Sequence, residues 1–405
     1  MQTHLSQALL ETAEGREAES ILRTCVHCGF CNATCPTYQL LGDELDGPRG
    51  RIYQIKQVLE GEQASATTQL HLDRCLQCRS CETTCPSGVR YARLAEIGRA
   101  VIERQQPRNW RAQLFRWGLR QVLPYTPRFA ALLRVGRLFA PVLPRRARAA
   151  LPPRRPAGIW PMSTHTRIML VLDGCVQPAA APATNAAAAR VLDQLGIRLE
   201  RPQGQGCCGA VSYHLNAHEE GLNQARRNID AWWPWIERGA EALVMTASGC
   251  GLVVKEYGEL LREDPVYAEK AARVSALTRD LAEVLAAEDL SALPRGAGRR
   301  VAFHAPCTLQ HGQRQRGSVE GLLGELGYEL CPVADGHLCC GSAGTYSLLQ
   351  PALSQELRAN KLKALSAGEP EVIVSANIGC QLHLQQASTT PVHHWIELLD
   401  PTPPH

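Results

Sequence analysis

Apolar positions along the chain follow two periods, and the change from one to the other divides it. Over residues 1–104 they recur at helical spacing. Leu5, Leu9, Ala13, Ile21 and Leu22 predict one helix across residues 1–24. Ile52, Ile55, Val58 and Leu59 predict another, opened by Pro48 after the turn-rich stretch Gly42–Arg51. Further helices are expected at Leu70–Asp73 and Arg90–Arg104, so residues 1–104 read as an all-helical domain. Residues 105–165 read as a linker with structure in it. Trp110, Leu114 and Trp117 recur at i, i+4 and i+7, and Phe129, Leu132, Leu133 and Val135 predict a second short helix. Pro141, Pro144, Pro152, Pro153 and Pro156 then end regular structure.

From residue 166 short apolar runs alternate with helical stretches, and the alternation occurs twice. Residues 166–290 predict strands at Arg167–Leu172 and Ala242–Met245, with helices at Asn185–Leu195, His218–Arg238 and Thr278–Ala287. Residues 291–405 predict strands at Arg300–His304 and Glu371–Val374, with helices at Val319–Leu326, Pro351–Ala367 and Trp395–Leu399. Cysteine spacing supports the duplication. There are 31 residues between Cys175 and Cys207, and 31 between Cys307 and Cys339. In an open parallel α/β sheet the loops leaving the C-terminal strand ends line the ligand crevice. Cys175, Cys250, Cys307 and Cys380 each follow an apolar run. The turns Cys207-Cys208-Gly209 and Cys339-Cys340-Gly341 are expected before helices, where backbone N–H groups favour thiolates. Two quartets are therefore expected: Cys175, Cys207, Cys208 and Cys250, then Cys307, Cys339, Cys340 and Cys380. They are candidates for further metal or iron–sulfur centres, with buried packing residues as the plainer alternative.

The helical domain carries one cysteine run written twice. Cys25, Cys28, Cys31, Cys35 and Pro36 form the first C-x2-C-x2-C-x3-C-P; Cys75, Cys78, Cys81, Cys85 and Pro86 form the second. Structural zinc needs only two C-x2-C pairs and leaves the rest of each run unexplained. The full run is the one that holds [4Fe–4S] cubanes in two-cluster ferredoxins, where the fourth Cys serves the other cluster. That likeness pairs Cys25, Cys28, Cys31 and Cys85 on one cluster, and Cys75, Cys78, Cys81 and Cys35 on the other. Arg49 and Arg51 either face a cluster or partner or form a solvated helix start.

Seventeen cysteines in 405 residues, with no apolar leader among the first twenty, point to a reducing cytosol where metal or redox chemistry is favoured over disulfides. No apolar run is long enough for a membrane span. The net charge is +4, yet Arg104 to Leu172 holds fourteen Arg and no Lys, Asp or Glu. Such a segment suits either an anionic membrane surface or a protein contact. No nucleic-acid partner is expected. No G-x-G-x-x-G opens a helix after a strand and no Walker sequence appears, so no flavin or nucleotide site is expected on this chain.

Together these residues resemble the iron–sulfur subunits of membrane-associated flavin dehydrogenases, most closely those of bacterial glycolate oxidase. Ser20–Cys31, Tyr38–Tyr53 and Cys81–Tyr91 carry the likeness, and module order matches over the whole chain. The resemblance implies an α-helical two-[4Fe–4S] ferredoxin domain followed by duplicated α/β cysteine-rich (CCG) domains. It implies electron transfer, with no catalytic residue of the chain's own. A partner FAD subunit would oxidise glycolate to glyoxylate, with D-lactate as a second substrate. Electrons would pass through the clusters to an acceptor, membrane quinone, on the cytoplasmic side of the inner membrane. Lactate and glycerol-3-phosphate dehydrogenase subunits are the alternatives within this class. A heterodisulfide-reductase-like thiol–disulfide reductase is the alternative outside it. Against that last reading, Cys250 and Cys380 lack the C-x2-C partner of that pattern.

Overall fold

The computed structural model describes residues 1–144, 148 and 151–402. The helical spacing of the N-terminal region is realised in α1 (Gln7–Leu10), α2 (Ala13–Thr24), α3 (Pro36–Leu41), α4 (Pro48–Leu59), α5 (Ala66–Asp73), α6 (Ser80–Thr84) and α7 (Tyr91–Gln105). The single helix expected over residues 1–24 is interrupted. The Thr12 hydroxyl accepts the Gly15 N–H at 3.0 Å and caps a fresh helix there. Leu22, Ile55, Leu59, Leu72, Leu94 and Ile102 form the buried core where α2, α4 and α7 meet. Gly98 lets α7 approach closely, since a Cβ there would lie 2.7 Å from Ile55.

Helices α8 (Trp110–Val122) and α9 (Thr126–Leu138) follow, as the spacing predicts. Their arginines are partly consumed by the body. Arg108 and Arg116 both reach Asp73, Arg120 reaches Glu220, and Thr126 Oγ1 donates to the Cys175 carbonyl at 2.8 Å. Beyond them, Arg155 pairs with Glu397, and Arg167 with Glu241 and Glu288. The segment is thus strapped down on one side, while Trp110, Leu114, Trp117, Leu132, Val135 and Leu138 stand exposed on the other.

Among the described residues the C-terminal region holds two four-stranded parallel sheets. The first comprises β1 (Arg167–Val171), β2 (Ile197–Glu200), β3 (Leu243–Met245) and β4 (Thr278–Asp280), ordered β2-β1-β3-β4. The second comprises β5 (Arg300–His304), β6 (Glu329–Leu330), β7 (Val372–Ser375) and β8 (Val392–His394), ordered β6-β5-β7-β8. Identical order confirms the duplication. Two expectations are corrected. Thr278–Asp280 is a strand paired with β3, and the helix begins only at Leu281 because Asp280 and Glu283 form a capping box. The edge strands β2, β6 and β8 went unpredicted because they are two to four residues long and partly polar.

The two halves share one core. Val171, Val191, Leu192, Val244 and Leu285 of the first pack in the same cluster as Val301, Phe303, Leu323, Val374 and Trp395 of the second. The helical domain docks on both. Arg79 forms a bidentate pair with Glu256, Arg90 reaches Glu259, Thr83 Oγ1 lies 2.9 Å from His311 Nδ1, and the Tyr346 hydroxyl donates to the Arg74 carbonyl at 3.1 Å.

The Cys-Cys-Gly turns depend on their glycines. Gly341 has φ of 87°, and a Cβ there would meet the Ser354 carbonyl oxygen at 2.6 Å. Gly341→Ala is therefore expected to destabilise the chain by about 1–3 kcal/mol. An unchanged melting temperature in a thermal scan would contradict this account of the turn.

Candidate functional site

The fold gathers sixteen cysteines into three neighbouring groups. In the helical domain each run leaves a helix C-terminus and curls back through residues in the left-handed region: His27 and Gly29 in the first run, Gln77 and Arg79 in the second. This backbone curl turns successive thiols inward. Cys25, Cys28, Cys31 and Cys85 line one small cavity together with Cys81, Pro48, Arg49 and Tyr91. Burial pushes the Cys31 thiol up to about 11, and Cys25, Cys85 and Cys28 around it add to the shift. Cys28 is exposed, so this group lies at the surface.

The second group is deeper. Burial drives Cys78 and Cys81 well above the ordinary thiol value, and Cys75 and Cys35 reinforce it in both. Cys75 differs. Burial works to raise it, but Arg51 and Arg99 outweigh burial and hold it below the usual value, aided by the Tyr91 hydroxyl at 3.5 Å and the Gln77 N–H at 3.4 Å. Arg51 is 1% exposed. It donates to the His71 carbonyl at 2.8 Å, pairs with Asp46 at 3.3 Å, and places Nη1 4.0 Å from Cys35 Sγ. Asp46 is itself fully buried and also receives Arg74 at 2.7 Å. The open question about the two arginines is thereby resolved. Arg51 faces the thiols from the interior, and Arg49 pairs with Glu44 at the rim of the first cavity.

Donor chemistry fits an iron–sulfur cofactor in both groups. Each brings four thiols together with backbone N–H donors nearby, and the second supplies the buried Arg51, with Arg99 near it, to offset thiolate charge.

The quartets of the sheet domains open on one shared cavity of about 680 Å3. Its wall includes Cys175, Cys207, Cys208 and Cys250 from the first half, Cys307, Cys339 and Cys380 from the second, and Cys75 from the helical domain. Cys307 and Cys339 lie 3.9 Å apart, Sγ to Sγ, and Cys78 packs against both in a small cluster with Leu76 and Tyr346. The second thiol group therefore adjoins the second quartet directly. Between the halves, the Asn377 side chain accepts the Gly249 N–H at 3.2 Å and donates to Cys380 Sγ at 3.5 Å.

The local placement of the quartets differs from expectation in one respect. Gly209 opens the helix Ala210–His214, as anticipated, but Gly341 is followed by turns and no helix starts there. Cys250 and Cys380 instead occupy the first turns of Ser248–Lys255 and Ile378–Gln385. Both helices start directly after a sheet strand, β3 or β7. Cys331 stands apart, buried against Gly368. Sequence reasoning did not find the shared cavity, or His304, whose side chain lies beside Cys340 and Cys380.

Comparison with known proteins agrees with this anatomy. Residues 21–89 match the model of the 4Fe–4S dicluster domain, and residues 169–255 and 301–385 each match that of the cysteine-rich domain. The chain is 57% identical over 401 residues to the "Glycolate oxidase iron-sulfur subunit" of Escherichia coli (strain K12), covering 99% of this chain and 98% of the relative. The chain belongs to this iron–sulfur subunit family. It is 29% identical over 404 residues to the "Probable glycolate oxidase iron-sulfur subunit" of Bacillus subtilis (strain 168), covering 91% and 90% of the two chains. It is 26% identical to "Lactate utilization protein A" of Shouchella clausii, covering 52% of this chain and 89% of that one. Membership of the family places the dicluster module before the duplicated cysteine-rich modules, as in the structure.

The grouping of thiols yields a spectroscopic expectation. Cys35→Ala should abolish the EPR signal of the centre served by Cys75, Cys78 and Cys81 and leave the other signal in place. The reverse pattern would overturn the crossed grouping.

Proposed function

We propose that the chain is the electron-transfer subunit of a glycolate dehydrogenase complex, and that a partner flavoprotein carries out substrate oxidation. In this reading Cys25, Cys28, Cys31 and Cys85 hold one [4Fe–4S] cluster, and Cys35, Cys75, Cys78 and Cys81 the other. Bound there, the two clusters supply one-electron carriers. The observation that supports the reading best is the unbroken sequence of sulfur sites. It runs from exposed Cys28, through half-buried Cys75 and Cys78, to Cys307 and Cys339 on the cavity.

The chain's own residues have distinct tasks. Val26 and Phe30, 67% and 62% exposed beside the first group, give a flavoprotein an apolar surface next to the outermost thiols. Leu76, Tyr91 and Tyr346 exclude water around the second group. Arg51 and Arg99 lie close enough to Cys75 to favour added negative charge there, which draws electrons inward from the surface. The two quartets are the sites for further metal or redox centres facing the cavity, where an acceptor such as a quinone is reduced.

Helices α8 and α9 offer a surface for the membrane that carries such an acceptor. They expose Trp110, Trp117, Leu132 and Leu138, and Arg111 and Arg134 lie on the same two helices. Among the described residues no helix is long and apolar enough to cross a membrane.

Two outcomes test the proposal. The isolated chain should not oxidise glycolate, and adding the flavoprotein subunits should restore glycolate-dependent dye reduction. Turnover by the pure chain without flavin would refute the division of labour. The complex should also bind anionic vesicles and release from them in 1 M salt, because attraction of about 1 kcal/mol per surface basic residue is screened. Absence of any vesicle binding would assign α8 and α9 to a subunit contact.

A further inference from the structure

The two sheet domains are duplicated in cysteines but not in everything around them. Three residues before Cys307, at the end of β5, stands His304; three residues before Cys175, in the matching place after β1, stands Leu172. Leu172 packs in an apolar cluster with Cys208. His304 is 1% exposed, and among the described residues neither of its ring nitrogens has a hydrogen-bond partner. A fully buried imidazole with both nitrogens unpaired is costly unless something binds it. Beside it are two thiols: the ligand atoms of His304, Cys340 and Cys380 all lie within 4.8 Å of one another, and all three residues are buried. That spread suits three corners of a tetrahedral site around one ion.

We propose that the second cysteine-rich domain binds a single zinc-class divalent ion through His304, Cys340 and Cys380. The proposal rests on the reading that the quartets hold metal centres, and it assigns one of them.

Two features support a single ion with mixed donors. Imidazole together with thiolate suits zinc, whereas the first domain's quartet, with leucine in the histidine's place, has only sulfur to offer. Charge also balances: a divalent ion held by two thiolates and a neutral imidazole carries no net charge, which suits a fully buried trio.

The test is metal analysis of the full chain purified without oxygen, with zinc and iron measured on the same sample. About one zinc per chain is expected, and zinc K-edge absorption should show nitrogen together with sulfur neighbours. His304→Leu, which copies the first domain, should remove the zinc and leave the iron of the helical domain unchanged; Cys380→Ser should do the same. The absorption measurement on the unaltered chain decides the donor set even where a variant folds poorly. Zinc retained in His304→Leu, or an all-sulfur zinc shell, would overturn the assignment. Iron in excess of two cubanes, with no zinc, would overturn it while preserving metal at the quartets. Neither zinc nor excess iron would remove both the assignment and the reading beneath it.

Discussion

Gathering thiols is the constraint on which the rest of this structure depends. Two unit charges about 4 Å apart repel by about 4 kcal/mol at an effective dielectric constant of about 20. Cys307 and Cys339 stand 3.9 Å apart, and burial, reinforced by neighbouring thiols, holds Cys31, Cys78 and Cys81 above their ordinary ionisation range. Protonation relieves such repulsion. A bound cation resolves it differently, by displacing the protons. The chain is built for that exchange: close thiols, and the buried Arg51 guanidinium where the thiols are deepest.

The buried Asp46 shows how this is supported at a distance from sulfur. It receives Arg51 and Arg74, with His71 Nδ1 3.1 Å away, and thereby ties α4 to the start of the second cysteine run. A buried carboxylate of this kind is costly to desolvate, and its value lies in orientation more than in net stability. It fixes Arg51 between two elements, with one edge of the guanidinium toward Cys35. The same arrangement explains why Cys75 is pulled downward while Cys78 and Cys81 are pushed up.

Docking between modules matters as much as the groups themselves. Arg79 with Glu256, and Tyr346 with the Arg74 carbonyl, hold the second thiol group against the sheet domains. Without that contact the sulfur sites would be two separate assemblies. The shared core of the two halves then brings their quartets to a single cavity.

Much of this was legible in the sequence, because local chemistry is written locally. The paired C-x2-C-x2-C-x3-C-P runs, the equal spacing from Cys175 to Cys207 and from Cys307 to Cys339, and the switch of apolar period at residue 166 determine the modules and their order. Other features depend on contacts between residues far apart in the chain. Thr278–Asp280 becomes a strand because β3 lies beside it, and the short strands β2, β6 and β8 carry too few residues to announce themselves. Arg51 could have faced solvent until Asp46 and the His71 carbonyl were brought around it. The arginines of residues 104–172 read as a free cationic surface until Asp73, Glu220, Glu241, Glu288 and Glu397 claimed several of them. His304 stands 36 residues before Cys340 and 76 before Cys380, and no spacing rule joins them. Sequence alone determined which side chains can hold metal; only the packing of β5 against β7 and the closing of the Cys-Cys-Gly turn decided which of them meet, because proximity there is set by non-local strand pairing and burial.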